Sequence, residues 1–298
     1  MRAIVTENGR PGHREPEAPS GPGPGTPRFL VRFGYDGSEY AGWARQPGLR
    51  TLEGEIHRAL ARMRTSDRAR TVLLEVASRT DRGVNARGNA ALFESTLEAG
   101  SLLRVLNGIA PDVFFTAARA VPPDFRARRA VRRTYRYFEP TRPVDLDGWR
   151  AAAEIFRGPV DVRSFGRGLR ASGPVFRDVE RVSLLSSGQS VVVEVVAPSF
   201  VWGMVRKVVA ALREVGNGRL PLERLEQAVA GQARLTLPLA EPEPLVLWDV
   251  DFDLPWTDRW EGPNRHQTRW RLEQRAAWRT RGAVLEALAA GPGGSPER

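Results

Sequence analysis

Two apolar runs, Val72 to Ala77 and Ala90 to Phe93, flank a dense polar stretch, Ser78-Arg79-Thr80-Asp81-Arg82-Gly83-Val84-Asn85-Ala86-Arg87-Gly88-Asn89. A strand that breaks into polar residues and then resumes carries them at the rim of a sheet, where backbone and side chains can meet solvent or a ligand. The stretch is therefore expected at the rim of a sheet around which the rest of the chain is organised. Asp81 is the only acid in the stretch, and Arg79, Arg82 and Arg87 lie close to it in sequence. An acid among cations suits the role of nucleophile or base better than that of proton donor. The same residues also read as a polar turn in an arginine-rich loop, so the other segments have to decide between the two.

The balance of charge narrows the partner. With 45 basic against 35 acidic residues, the formal net charge is +10, which favours a polyanion, because a basic surface concentrates phosphates and speeds their encounter. Lys207 is the only lysine. Coding bias accounts for arginine in place of lysine but not for the excess of base over acid. The absence of cysteine removes disulfides, zinc-thiolate sites and thiol nucleophiles. His13, His57 and His266 are far apart in sequence, so neither a metal site nor a histidine-based triad is expected. No apolar run approaches the roughly 20 residues that cross a bilayer, and the N-terminus lacks a signal pattern. A soluble, cytoplasmic protein without membrane partners is expected.

In chain order, residues 1–27 are rich in Pro and Gly and read as a mobile tail. A strand is predicted from Phe29 to Tyr35, then a turn at Asp36-Gly37-Ser38 and a loop, Tyr40 to Gly48, mixing aromatic, basic and amide side chains. Arg45 and Trp43 in that loop suit phosphate grip and base stacking, although a loop tryptophan can equally plug a core. Thr51 caps a helix that runs to about Met63, with Leu52, Ile56, Ala59, Leu60 and Met63 on its apolar face. The strands around Asp81 follow, then a short helix at Leu102 to Leu106, a turn, and a strand from Val113 to Ala118. From Phe125 to Tyr137 lies the densest basic run, including Arg126, Arg128 and Arg133 and ending in two tyrosines. Guanidinium forks take phosphates while rings stack on bases, and the alternative is an edge strand with its tyrosines packed beneath.

Residues 140–147 read as a seam between halves spanning 28–139 and 140–255, with an extension over 256–298. The second half is predicted to hold a helix from Gly148 to Phe156, strands over Val179–Leu185 and Val191–Val196, and a helix from Ser199 to about Val215. A short helix from Leu222 to Ala230 and a strand from Leu245 to Phe252 complete it, and Arg269 to Leu288 is helical in pattern. The Ser199 helix is apolar nearly all round and so should be buried. Arg206 within it then needs an anionic partner or an escape along its own stem. Strand, helix, then strands, with helices kept apart from an antiparallel sheet, is an α+β plan. Two such halves could share one sheet and leave a basic groove at their join.

Taken together, these segments resemble the tRNA pseudouridine synthase A family over roughly residues 29–254. The pieces that carry the resemblance are Tyr35-Asp36-Gly37-Ser38 with Gly42 to Pro47, Arg79-Thr80-Asp81 with Gly83-Val84, and Leu106-Asn107. To these add Phe125 to Arg128 with Arg133 to Tyr137, Phe200-Val201 with Met204-Val205-Arg206, and Pro244 to Leu247. The resemblance implies that Asp81 is the essential aspartate, that Tyr135 stacks on the target uracil, that Arg206 pairs with the aspartate and that Arg79 helps displace the base. It places Leu245 in the substrate pocket. It further implies uridines 38–40 of the tRNA anticodon arm as targets, a homodimer, and no cofactor or metal. Ser78, Arg82 and Asn85 stand where the family commonly has Gly, Ala and His. A non-catalytic RNA-binding protein of the same fold is the competing reading.

Overall fold

The computed structural model describes residues 25–63, 70–139, 145–169, 172–187 and 190–289. Most of the expected tail, residues 140–144 of the expected seam and the last residues of the chain lie outside the described ones. Among the described residues the chain is a mixed α+β fold with a large, mainly antiparallel sheet and six helices.

The first elements are β1 (Arg28–Tyr35), α1 (Leu52–Met63), β2 (Thr71–Val76), β3 (Asn85–Ser95), α2 (Ala99–Leu106) and β4 (Val113–Val121). Thr51 caps α1, its Oγ1 accepting from Gly54 N at 3.2 Å, and the helix buries Leu52, Ile56 and Leu60. These residues recur at four-residue steps, so one stripe faces the sheet. Phe33 of β1 centres the packing beneath, with ring centroids 5.7 Å from Trp43 and 5.4 Å from Phe115.

Next come β5 (Arg132–Phe138), α3 (Leu146–Ile155), β6 (Gly158–Asp161), β7 (Phe176–Val179), β8 (Arg181–Ser187), β9 (Ser190–Ala197), α4 (Met204–Gly216), α5 (Leu222–Val229) and β10 (Leu245–Asp251). The helix expected from Ser199 starts five residues later. Gly203, at φ 76°, turns the chain just before Met204, and the left-handed conformation breaks a helix that apolar periodicity alone would extend. The remainder of α4 buries Val205, Val208, Val209, Leu212 and Val215. Beyond β10, the short strand β11 (Asp258–Arg259) joins the sheet edge beside β4, and α6 (Arg265–Ala289) follows. No helix among the described residues is long and apolar enough to cross a membrane.

The main sheet runs β11-β4-β1-β3-β10-β5-β9-β8, with β2 also paired to β3. Its pairings are antiparallel except β3 with β10, which is parallel. One row of paired residues crosses most of its width: Val113, Tyr35, Ala86, Leu247, Tyr135, Val195 and Val182. Neighbouring strands lie about 4.8 Å apart, so this row fixes which loops meet at the open end of the sheet.

Gly37 is where that end is tightest. A Cβ there would overlap the Val84 carbonyl, because the turn after β1 lies directly on the loop that leads into β3. Gly37→Ala should therefore lower the melting temperature, by a free energy of about 1–3 kcal/mol, whereas Gly100→Ala on α2, with open space around it, should be neutral or raise stability by roughly 0.5 kcal/mol. Thermal unfolding of the two variants checks the contrast, and equal effects would contradict the tight packing.

Candidate active site

The edge of β3 opposite β1 changes partner along its length. β2 pairs with it from Ala91 to Ser95, and β10 pairs with it only at Asn85 and Ala86. Between these two pairings the edge has no strand beside it, and the chain from Ala77 to Val84 fills the gap as a loop. Ala77 N still reaches the Ala90 carbonyl at 2.8 Å, and Asn89 Nδ2 holds the Ser78 carbonyl at 2.9 Å. Ser78 to Val84 thus lie outside the ladder just where the sheet end opens, whereas Asn85 to Asn89 already belong to β3, which starts five residues before the apolar run at Ala90.

The residues beside Asp81 are pinned. Thr80 Oγ1 lies 2.7 Å from the Tyr35 hydroxyl, its carbonyl accepts from Trp43 N at 3.0 Å, and Val84 N donates to the Asp81 carbonyl at 3.2 Å. The Asp81 side chain, 31% exposed, faces a pocket of about 520 Å³. Across it stands Arg206, 12% exposed, with Nη1 at 3.7 Å from Asp81 Oδ2 and Nε donating to the Ala240 carbonyl. That separation is an ion-pair contact but longer than a hydrogen bond. Among the described residues no hydrogen bond to the Asp81 carboxylate occurs, so both oxygens remain open to a ligand. Burial pulls the Arg206 guanidinium below the usual arginine range, and the Asp81 charge works against that.

Tyr135 on β5 forms a wall. It is buried, with Phe200 edge-on at 4.9 Å between centroids. Burial pushes its phenol up to about 12, against the opposing pull of Ser78 and Arg133, so it keeps its proton through the neutral range. Val205, Leu245 and the exposed Trp202 complete the apolar lining, with Arg167 over the Trp202 ring at 4.3 Å. Trp202 and Arg167 are pocket-side features that the sequence did not single out, because Trp202 fell inside the run read as buried helix.

The expected RNA-gripping arginines divide into separate environments. Arg45, Arg79, Arg126 and Arg128 are exposed, and Arg79 and Arg128 border the pocket. Arg133 is turned inward instead: Nε donates to Ser78 Oγ at 2.9 Å, and its other nitrogens donate to the carbonyls of Ala77, Arg128 and Pro198. Its environment is that of a staple between β5 and the Asp81 loop. Arg132 and Arg136 are ion-paired, with Asp251 at 3.1 Å and Glu194 at 2.8 Å. The loop tryptophan, Trp43, is 2% exposed and packs in the core, so the stacking reading of that residue gives way to the plug. No group of three or more His, Cys, Asp or Glu among the described residues could hold a metal ion.

Comparison with known proteins fits this geometry. A family model described as tRNA pseudouridine synthase matches residues 152–253. Proteins named tRNA pseudouridine synthase A from Thermococcus kodakarensis and Thermococcus sibiricus are 38% and 35% identical, each alignment covering 76% of this chain and 85% of the relative. The namesake from Methanosphaerula palustris is 35% identical over 77% of this chain and 82% of its own. The chain belongs to the tRNA pseudouridine synthase A family. A solved Cbf5–Nop10–Gar1 complex gives 14% identity and a TM-score of 0.29 over 61% of this chain and 53% of the matched one, a likeness too weak to bear on the fold.

Two departures from the common family residues have structural roles. Ser78 accepts the Arg133 hydrogen bond, and Asn85 ties two loops together, accepting from Gly37 N at 2.8 Å and donating to the Glu243 carbonyl at 2.7 Å. Arg82 stays exposed.

Because Arg133 is a buried cation held by neutral acceptors, its removal should act on the fold. Arg133→Met leaves a hydroxyl and three carbonyls short of a donor and should cost about 2–4 kcal/mol of stability. Arg128→Met, at an exposed position, should cost under about 0.5 kcal/mol. Urea unfolding of both variants separates the roles, and equal stability would contradict the staple.

Proposed function

We propose that this chain isomerises uridine to pseudouridine in tRNA, and that Asp81 is the group that acts on the target nucleotide. The observation that carries the reading is a carboxylate that accepts no hydrogen bond among the described residues, facing a largely buried guanidinium at 3.7 Å in a pocket of about 520 Å³. Such an acid has its oxygens available to a ligand, and it suits nucleophilic attack on the ribose C1′ or uracil C6, or abstraction of a proton. In the overall change the N1–C1′ bond breaks, a C5–C1′ bond forms, the C5 proton leaves and N1 gains one. The product is an isomer, so the balance calls for no oxidant, reductant or cofactor.

Arg206 holds the anion toward the base, and Tyr135 offers an uncharged ring for stacking. Arg79 stands at the rim, exposed, where it can help displace the base from its stack, and Leu245 closes the apolar floor. Extruding a base from a stem costs a few kcal/mol, which stacking and phosphate contacts offset. Arg45, Arg126 and Arg128 are the exposed candidates for those contacts, and the inward orientation of Arg133 supports a positioning task for it.

Two pseudo-symmetric halves around a central cleft are part of the same proposal. The order strand, helix, two strands, helix, strand describes β1 to β4, and it recurs from β5 to β10 once the β6–β7 pair and α5 are set aside. The parallel β3–β10 pairing, at the Asp81 loop, is then the join. On this reading β5 groups with the second half, since it pairs with β9 and β10. Targets at positions 38–40 of the anticodon arm and action as a homodimer complete the proposal by family likeness.

Incubating the purified protein with unmodified tRNA transcripts and mapping pseudouridine tests it. Product confined to positions 38–40 is expected. Product elsewhere would overturn the anticodon-arm assignment, and none at all would leave the RNA-binding alternative.

A further inference from the structure

α6 has no part in the site described above. Its root is built into the body: the buried Gln267 donates to Asn107 Oδ1 at 2.9 Å and to the Val113 carbonyl at 3.0 Å, and Asn264 Nδ2 holds the Asn107 carbonyl at 2.7 Å. Trp270 lies 5.8 Å from Phe114, and Arg271 stacks over the same ring at 4.2 Å. Beyond Gln274 the helix leaves the body, and every residue from Arg275 to Arg281 is exposed.

This arm has an unusual charge for a helix without packing. Its sequence holds six arginines and two glutamates, and one ion pair, Arg269 with Glu273, occurs among its described residues. Arg271, Arg275 and Arg279 follow at four-residue steps, so they stand on one face, where like charges repel. Trp278, 66% exposed, lies one turn on from Arg275 and borders that face. A helix exposed on all sides and lacking compensating pairs is poorly stabilised alone. A polyanion lying along the arginine stripe turns the repulsion into attraction, and the ring supplies a stacking surface.

The location fits the same substrate. Val113, the anchor of α6, shares the row of paired residues with Tyr135, four strand spacings away or roughly 19 Å. An RNA whose target nucleotide enters the Asp81 pocket extends well past that distance.

We propose that α6 is a second RNA-binding element of this enzyme, with Arg271, Arg275 and Arg279 gripping substrate backbone phosphates outside the pocket and Trp278 stacking on an exposed base or ribose. The inference rests on the tRNA isomerase reading and deepens it. A second copy of the chain is the competing occupant, through Leu272, Trp278 and Leu285, which are exposed. Charge opposes it, since two such helices face to face would bring arginine stripes together.

The test compares the full-length protein with the triple variants R271Q/R275Q/R279Q and R271K/R275K/R279K. Circular dichroism first checks that the exposed substitutions leave the fold intact. Affinity for full-length tRNA is read by fluorescence anisotropy over a salt series, with kcat and KM from pseudouridine formation and self-association from sedimentation. For the glutamine variant, affinity at low salt should fall roughly tenfold, and the slope of log affinity against log salt should shrink by about 2–3. KM should rise while kcat holds, and the lysine variant should keep the slope. An unchanged slope and KM would overturn the proposal, and a glutamine variant that alters self-association with no change in slope would assign the helix to a dimer contact instead. Wild-type protein that forms product while the slopes coincide sinks only the role of α6, whereas wild-type protein that forms none sinks the isomerase reading.

Discussion

A carboxylate and a guanidinium face each other across the pocket at 3.7 Å, and the groups around each are bonded elsewhere in the fold. Asp81 projects from a loop whose flanking groups are bonded to Tyr35, Trp43 and Val84. Arg206 comes from the first turn of α4, and its Nε is held by the Ala240 carbonyl. Leaving a gap keeps the Coulomb attraction while sparing the carboxylate oxygens for a ligand.

The arginine-rich composition takes on different physical roles in different places. Arg133 is buried and spends its donors on the backbone and Ser78. Arg132 and Arg136 neutralise carboxylates, and Arg45, Arg79, Arg126 and Arg128 stay exposed. The last group, the exposed Arg82 and the stripe on α6 are among the residues that add to the outward positive field a polyanion meets. The net charge is a property of the whole chain, while the distribution says where the positive surface lies.

Much of this was legible in the residues. The residues around Asp81 read as a sheet-rim loop because apolar runs bracket them, although the strand resumes at Asn85, and Arg206 read as needing an anionic partner or a path to solvent because its neighbours on α4 are apolar. The α+β plan followed from the order of patterned segments. Other features were hidden for physical reasons. Gly203 sets the start of α4 by its backbone conformation, which apolar periodicity does not register, and Trp202 was misplaced with it. Arg133 and Arg128 look alike in sequence, and only register on β5 turns one inward. β11 is too short to carry a period, and the anchoring of α6 depends on Gln267 meeting Asn107 across 160 positions, a contact that no local pattern announces.

The central claim is that Asp81 performs the chemistry while the rest of the surface holds the RNA. Single-turnover pseudouridine formation and tRNA affinity measured side by side for wild type and Asp81→Asn test it most directly. Product should vanish in the variant while affinity stays within about threefold, or under about 0.7 kcal/mol. A variant that still isomerises at the wild-type rate, or one that loses turnover only because it no longer binds tRNA, would contradict it.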